Sequence, residues 1–201
     1  MNLANKLTIF RIILVPIFVI VGYLNLPGSV FGIGLTFIIM DAIFIIASIT
    51  DKLDGYIARS RNQVTTFGKF LDSLADKILV LSALVMLVEF GKIQAWIPII
   101  VLAREFLVSG YRLIASTKGG QVIAASVWGK LKTVTQMIAI ILVFVDKYNF
   151  AECFFGSIRC SMSTPELIFN GLTTLLLIVS TIATIFSGYD YLKGGKDLFK
   201  E

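Results

Sequence analysis

The chain has 201 residues, of which 57% are hydrophobic and only 15% charged, with a net charge of +5 and no histidine. So few charges among so many apolar residues exclude an ordinary soluble domain and point to a helical membrane protein. The missing histidine excludes a Ser-His-Asp triad, a phosphohistidine intermediate and an HExxH zinc site, and leaves carboxylates, lysines, arginines, hydroxyls and bound metal for any chemistry.

Six apolar runs are long enough to cross a bilayer, which takes roughly 20 residues of helix. In chain order they are Leu7 to Leu24, Val30 to Arg59, Phe67 to Phe90, Trp96 to Ser116, Val127 to Val145 and Leu167 to Phe186. No small-residue cleavage pattern follows the first, so it reads as a retained span and not as a signal peptide. The second is longer than a bilayer requires, and its end should protrude into water. No Ser/Gly-rich linker interrupts the chain. The expected fold class is therefore all-α: a polytopic membrane protein with six transmembrane helices, in a single domain over residues 1–201.

The basic residues orient these spans. With the N-terminus inside, 15 of the 18 lysines and arginines fall at cytoplasmic ends and loops, and only Lys92, Lys147 and Arg159 fall outside. Both termini are thus expected in the cytoplasm of a multi-pass plasma-membrane protein. The positive charge then reflects orientation and attraction to anionic membrane lipids, not nucleic acid. Cys153 and Cys160 share the last outer loop, where a disulfide or two thiols are both compatible with the sequence.

The most informative segment joins the second and third runs. Asp51 and Asp54 are three apart, Asp72 and Asp76 four apart, so each pair shares one face of its helix. A short polar connection near Asn62 to Val64 forces the two helices antiparallel. Folding the hairpin about its middle sets Asp54 level with Asp72, and Asp51 level with Asp76. Counting back from Phe90 puts Asp72 and Asp76 inside the third span near its cytoplasmic end, with Asp76 about 6 Å deeper. Four clustered carboxylates repel one another unless cations or protons neutralise them. The hairpin brings no lysine or arginine into the ring, so the expected partner is an oxygen-seeking divalent metal, Mg2+ or Mn2+. Two ions would suit a displacement at phosphorus. Gly55 and Gly68 read equally as close-packing positions or as room for a ligand. Asp41, mid-way along the second run, has no evident role.

The pattern Asp51-x2-Asp54-Gly55-x2-Ala58-Arg59-x8-Gly68-x3-Asp72-x3-Asp76 resembles the full signature of the CDP-alcohol phosphotransferases. Three further stretches resemble one branch, the phosphatidylglycerophosphate synthases: Asn5-Lys-Leu-Thr8-Ile-Phe-Arg11 with Pro16, Ala103-Arg104-Glu105-Phe-Leu-Val-Ser109-Gly110-Tyr-Arg112, and Gly129-Lys130-Leu-Lys132-Thr133-Val-Thr-Gln136. One departure is Ser73, where many relatives have proline. The resemblance implies a homodimer of six-helix protomers. It also implies transfer of a phosphatidyl group from CDP-diacylglycerol to glycerol 3-phosphate, with release of CMP.

On that resemblance Asp51, Asp54, Asp72 and Asp76 are the metal positions, and Asp76 is also the catalytic base. Gly55, Arg59 and Gly68 line the nucleotide pocket, which Asn5 and Thr8 border. Depth would raise the pKa of Asp76 and metal would lower it, and the sequence leaves that balance open. A phosphorylated acceptor wants cations. Arg104 and Arg112, eight apart on one helix and within about 80° of each other, form the acceptor-phosphate candidate together with Lys130. Lys132 reads instead as an interfacial cation. Inositol phosphate, serine or another alcohol could replace the acceptor in the same chemistry. A divalent-cation transporter would need carboxylates through both halves of the bilayer, and here they cluster at the cytoplasmic end.

Overall fold

The computed structural model describes the backbone of residues 3–60, 66–117, 127–155 and 161–194. Side chains are described within these ranges except at 3–4, 52–60, 66, 67, 69, 113–117 and 194. The chain divides into two compact units, Met1–Lys92 with Ile141–Lys147, and Ile93–Ile140 with Tyr148–Glu201.

The first unit is built on α1 (Leu3–Tyr23), which packs against both α2 (Leu35–Ser60) and α3 (Thr66–Glu89). The reason lies in its spacing. Thr8, Arg11, Val15 and Phe18 recur at three and four residues and are all buried, while Phe10, Ile13, Ile17 and Ile20 on the other side are exposed. The packed face changes character along its length: polar at Thr8 and Arg11, apolar from Val15 onward. Met40, Phe44 and Ala47 of α2 and Leu79, Ala83, Leu84 and Leu87 of α3 complete the core, which Phe144 closes edge-on to Phe18 at 5.8 Å.

A β-hairpin joins α1 to α2. Strands β1 (Ser29–Val30) and β2 (Ile33–Gly34) pair antiparallel, Ser29 with Gly34 and Val30 with Ile33. The two-residue turn puts Phe31 at φ +53° and Gly32 at φ +79°, the doubly left-handed geometry that matches the twist of a hairpin. Gly32 adopts it without strain, and Phe31 is thrust out, 89% exposed. The sequence reading starts the second span at Val30. Helix begins instead at Leu35, whose amide donates to the Gly28 carbonyl at 3.0 Å. Val30, Phe31 and Ile33 look like continuous apolar helix, but Gly32 between them lets the chain turn.

The turn after α3 carries Lys92, only 7% exposed. Its ammonium donates to the Asp146 carbonyl at 2.7 Å, just beyond the end of α5 (Val127–Val145), and lies 5.2 Å from the centre of the Phe37 ring. Burial pushes the Lys92 ammonium below the usual lysine pKa, and the Asp146 charge opposes this. Lys92→Met should destabilise the detergent-solubilised protein by about 1–3 kcal/mol, since it removes a buried hydrogen bond from a charged donor. The sign of the pH effect follows from the lowered pKa. Unfolded chain holds this proton more tightly, so wild-type stability should rise as pH climbs from the depressed value toward the ordinary one. Unfolding midpoints of both proteins across alkaline pH check this: the rise should be missing from the variant.

The second unit holds α4 (Trp96–Thr117), most of α5, the short α6 (Glu152–Phe155) and α7 (Thr164–Gly194), with α4 packed along α7. Asn170 of α7 accepts from the Cys153 amide at 2.9 Å and donates to the Asn149 carbonyl at 3.0 Å, pinning the segment before α7. Cys153 is buried; its possible disulfide partner Cys160 lies outside the described residues.

Among the described residues, three helical segments are long and apolar enough to cross a membrane: Asn5–Tyr23, Val127–Val145 and Thr164–Lys193. Helices α2, α3 and α4 carry ionisable residues within their length, which lowers their apolarity. The last helix outruns the sequence reading. It continues past Phe186 to Gly194, and the added turns carry Ser187 and Tyr191.

Candidate active site

In the first unit the acidic pattern is gathered by a residue outside it. Arg11 of α1 is fully buried, and its Nη1 lies 2.6 Å from Asp51 Oδ1 of α2 and 3.2 Å from Asp72 Oδ1 of α3. Both aspartate side chains are partly exposed, 32% and 47%, so one side of this junction is closed by α1 and the other open. The two carboxylates drawn to one nitrogen are Asp51 and Asp72. The hairpin reading set these about one turn apart in height, a gap of roughly 4.5 Å along a helix axis, which the aspartate side chains and the shared cation bridge.

The expectation of a ring without lysine or arginine is therefore corrected. Spacing along the hairpin reaches only its own two helices, whereas α1 packs on both of them. The signal was present as an arginine inside an otherwise apolar run, where an ionisable side chain needs a partner. Asp76 lies half-buried one turn beyond Asp72 on α3, and Gly68 half-buried one turn before it. Thr8, 3% exposed, precedes Arg11 by one turn on the same face of α1, and Asn5 is half-buried another turn back. Asp54, Gly55 and Arg59 are on the last turns of α2, and their side chains lie outside those described.

Among the described residues no three acidic or thiol side chains converge tightly enough to hold a metal ion. The side chain of Asp54, one position of the pattern, lies outside those described. The donor chemistry fits a hard divalent cation: the pattern supplies four carboxylates from two helices, and Arg11 meets two of them through one nitrogen. Asp41 is 6% exposed, and its Oδ1 has no hydrogen-bond partner among the described residues.

In the second unit a basic group forms where α4 lies on α7. Arg104 donates from Nε and Nη2 to Ser187 Oγ at 3.2 and 2.7 Å, and from Nη1 to Glu105 Oε1 at 3.0 Å. The Arg104 stem runs past Gly188, where an added Cβ would meet it at 3.5 Å, an ordinary packing contact. Arg112, two turns on and exposed, donates from Nη2 to the Tyr191 hydroxyl at 2.9 Å. The Tyr191 ring, 1% exposed, has both guanidinium carbons close, at 5.8 and 5.7 Å, and meets Tyr111 edge-on at 6.1 Å. Lysine 130 is exposed on α5, while Lys132, 7% exposed, reaches Glu105 Oε1 at 2.5 Å. Two residues are about 200° around a helix, which separates these neighbours. Sequence reasoning missed Tyr191 and Ser187, and read Lys132 as interfacial. A four-residue polar spacing at the end of the last apolar run was the available signal.

An acidic pattern on two neighbouring helices of an apolar helical chain is what one family of membrane enzymes carries, and the chain belongs to it: the model of the CDP-alcohol phosphatidyltransferase family matches residues 1–186. Members of this family generally depend on a divalent metal. Among curated proteins the chain is 40% identical over 197 residues to the CDP-diacylglycerol–glycerol-3-phosphate 3-phosphatidyltransferase of Bacillus subtilis, covering 94% of this chain and 93% of that protein. It is 38% identical over 199 residues to the Haemophilus influenzae protein of the same name, covering 97% and 94%. The Escherichia coli protein of that name is 40% identical over 143 residues, covering 69% and 74%.

Proposed function

We propose that this chain transfers the phosphatidyl group of CDP-diacylglycerol to glycerol 3-phosphate, giving phosphatidylglycerol phosphate and CMP. The observation that carries the reading is the meeting of Asp51 and Asp72, from two different helices, at the buried guanidinium of Arg11. The acceptor is taken from relatives similar to this chain over nearly its whole length. The working protein is a homodimer with six spans per protomer in one transmembrane catalytic domain. Both termini and the acidic ring are on the cytoplasmic side of the plasma membrane.

The residues divide the work. Asp51, Asp54, Asp72 and Asp76 would hold Mg2+ or Mn2+, one ion or two, which when bound supplies charge neutralisation at the diphosphate. Gly55, Arg59 and Gly68, with Asn5 and Thr8, border the cytidine nucleotide. Arg104 and Arg112 bind the phosphate of the acceptor. Lys132 holds Glu105 against Arg104, and Lys130 remains a candidate contact by its exposure. Asp76 takes the proton from the acceptor hydroxyl. The hydroxyl oxygen then bonds to the phosphorus that carries diacylglycerol, the bond from that phosphorus to the CMP oxygen breaks, and CMP leaves with the electron pair.

The test is release of CMP by purified protein given CDP-diacylglycerol and Mg2+, with one acceptor at a time. Glycerol 3-phosphate should support release well above serine, inositol or inositol phosphate. Release with another of these and none with glycerol 3-phosphate would overturn the acceptor.

A further inference from the structure

We propose that Arg11 is a positioning residue for the acidic ring: it fixes the planes of Asp51 and Asp72 so that their remaining oxygens face the metal. This rests on the reading of the ring as a metal centre.

A fully buried guanidinium is tolerated only where anions and hydrogen bonds compensate it. Among the contacts that compensate it, Nη1 touches one oxygen of an α2 carboxylate and one of an α3 carboxylate. A carboxylate held by one oxygen has its rotation about the Cβ–Cγ bond fixed, and so the direction of the other. Holding two carboxylates from two helices also sets the distance between them. Carboxylates that bind metals are commonly oriented this way by an outer partner.

Arg11 cannot swing away into water as a surface arginine could. Val15 and Phe18 continue its face of α1 as buried core, and Thr8 before it is buried too. The cation is thus a fixed part of the wall behind the ring. Its charge also lowers the repulsion between Asp51 and Asp72 before any metal arrives.

The experiment is Mn2+ titration of the purified, detergent-solubilised protein, followed by electron paramagnetic resonance of free Mn2+, with Arg11→Met, Arg11→Gln and Arg11→Lys beside wild type. Monodispersity on size-exclusion chromatography selects the folded variants, and glutamine keeps a donor if methionine does not fold. Folded Met or Gln variants should bind Mn2+ about 10- to 100-fold more weakly. Lysine, which keeps a cation in place, should recover part of the loss. A folded Met or Gln variant that binds as tightly as wild type, or more tightly, overturns the proposal, as does a lysine variant no better than methionine. Should wild type itself bind no Mn2+, the metal reading of the ring fails first, and that result is distinguishable from failure at Arg11 alone.

Discussion

Asp76→Asn is expected to lower CMP release by about 10²- to 10⁴-fold, the range a positioned general base supplies, while Mn2+ binding persists. Asparagine keeps the shape and a carbonyl oxygen, so an edge position in the ring loses little as a ligand, but the amide cannot take a proton. Asp72→Asn should behave differently. Asp72 is one of the two carboxylates on Arg11, and its loss should abolish Mn2+ binding and turnover together, by at least about 100-fold, since losing a direct ligand exceeds the loss of an outer partner. The pair separates proton transfer from metal binding. Near-normal turnover in Asp76→Asn with metal bound would remove the base assignment, whatever Asp72 does.

Arg112→Ala should raise the KM for glycerol 3-phosphate by roughly 10- to 100-fold, with little change in the KM for CDP-diacylglycerol. A hydrogen bond to a charged group is worth about 1.5–3 kcal/mol, which converts to that range. Arg112 suits the test better than Arg104 because its charge is exposed, and its contact to the Tyr191 hydroxyl uses one of several donors. Arg104 is committed on three nitrogens to Ser187 and Glu105, so its removal would also loosen α4 from α7. A larger effect on the lipid requirement than on the acceptor requirement would place Arg112 with the other substrate. Tyr191→Phe keeps the ring beneath both guanidinium groups and removes only the hydroxyl, so it should give a smaller shift in the same direction.

The apolar runs placed the long helices well, because these helices are apolar on their exposed faces as well as toward their neighbours. They failed where glycine geometry overrode apolarity, at the Phe31–Gly32 turn, and where a helix outlasted its apolar run, at Ser187 to Gly194. Spacing put Asp51 with Asp54 and Asp72 with Asp76, since the pitch of one helix is fixed. It could not bring in Arg11, which is 61 residues from Asp72 and belongs to a third helix. The choice between Lys130 and Lys132 was equally out of reach, because it depends on which side of α5 faces Glu105. Local pitch is legible in sequence; the face a helix turns to its neighbours becomes legible only when the neighbours are known.

Arg11 also bears on how the chain is made. Helix α1 is synthesised before the aspartates that hold its guanidinium, and the second of them follows 61 residues later. In the interval a nascent α1 carries a cation within its apolar length, which costs about 2.5–3.5 kcal/mol on insertion scales at a helix centre and less near an end. That cost is compensated only once α2 and α3 are in place, when Asp51 and Asp72 meet the buried guanidinium.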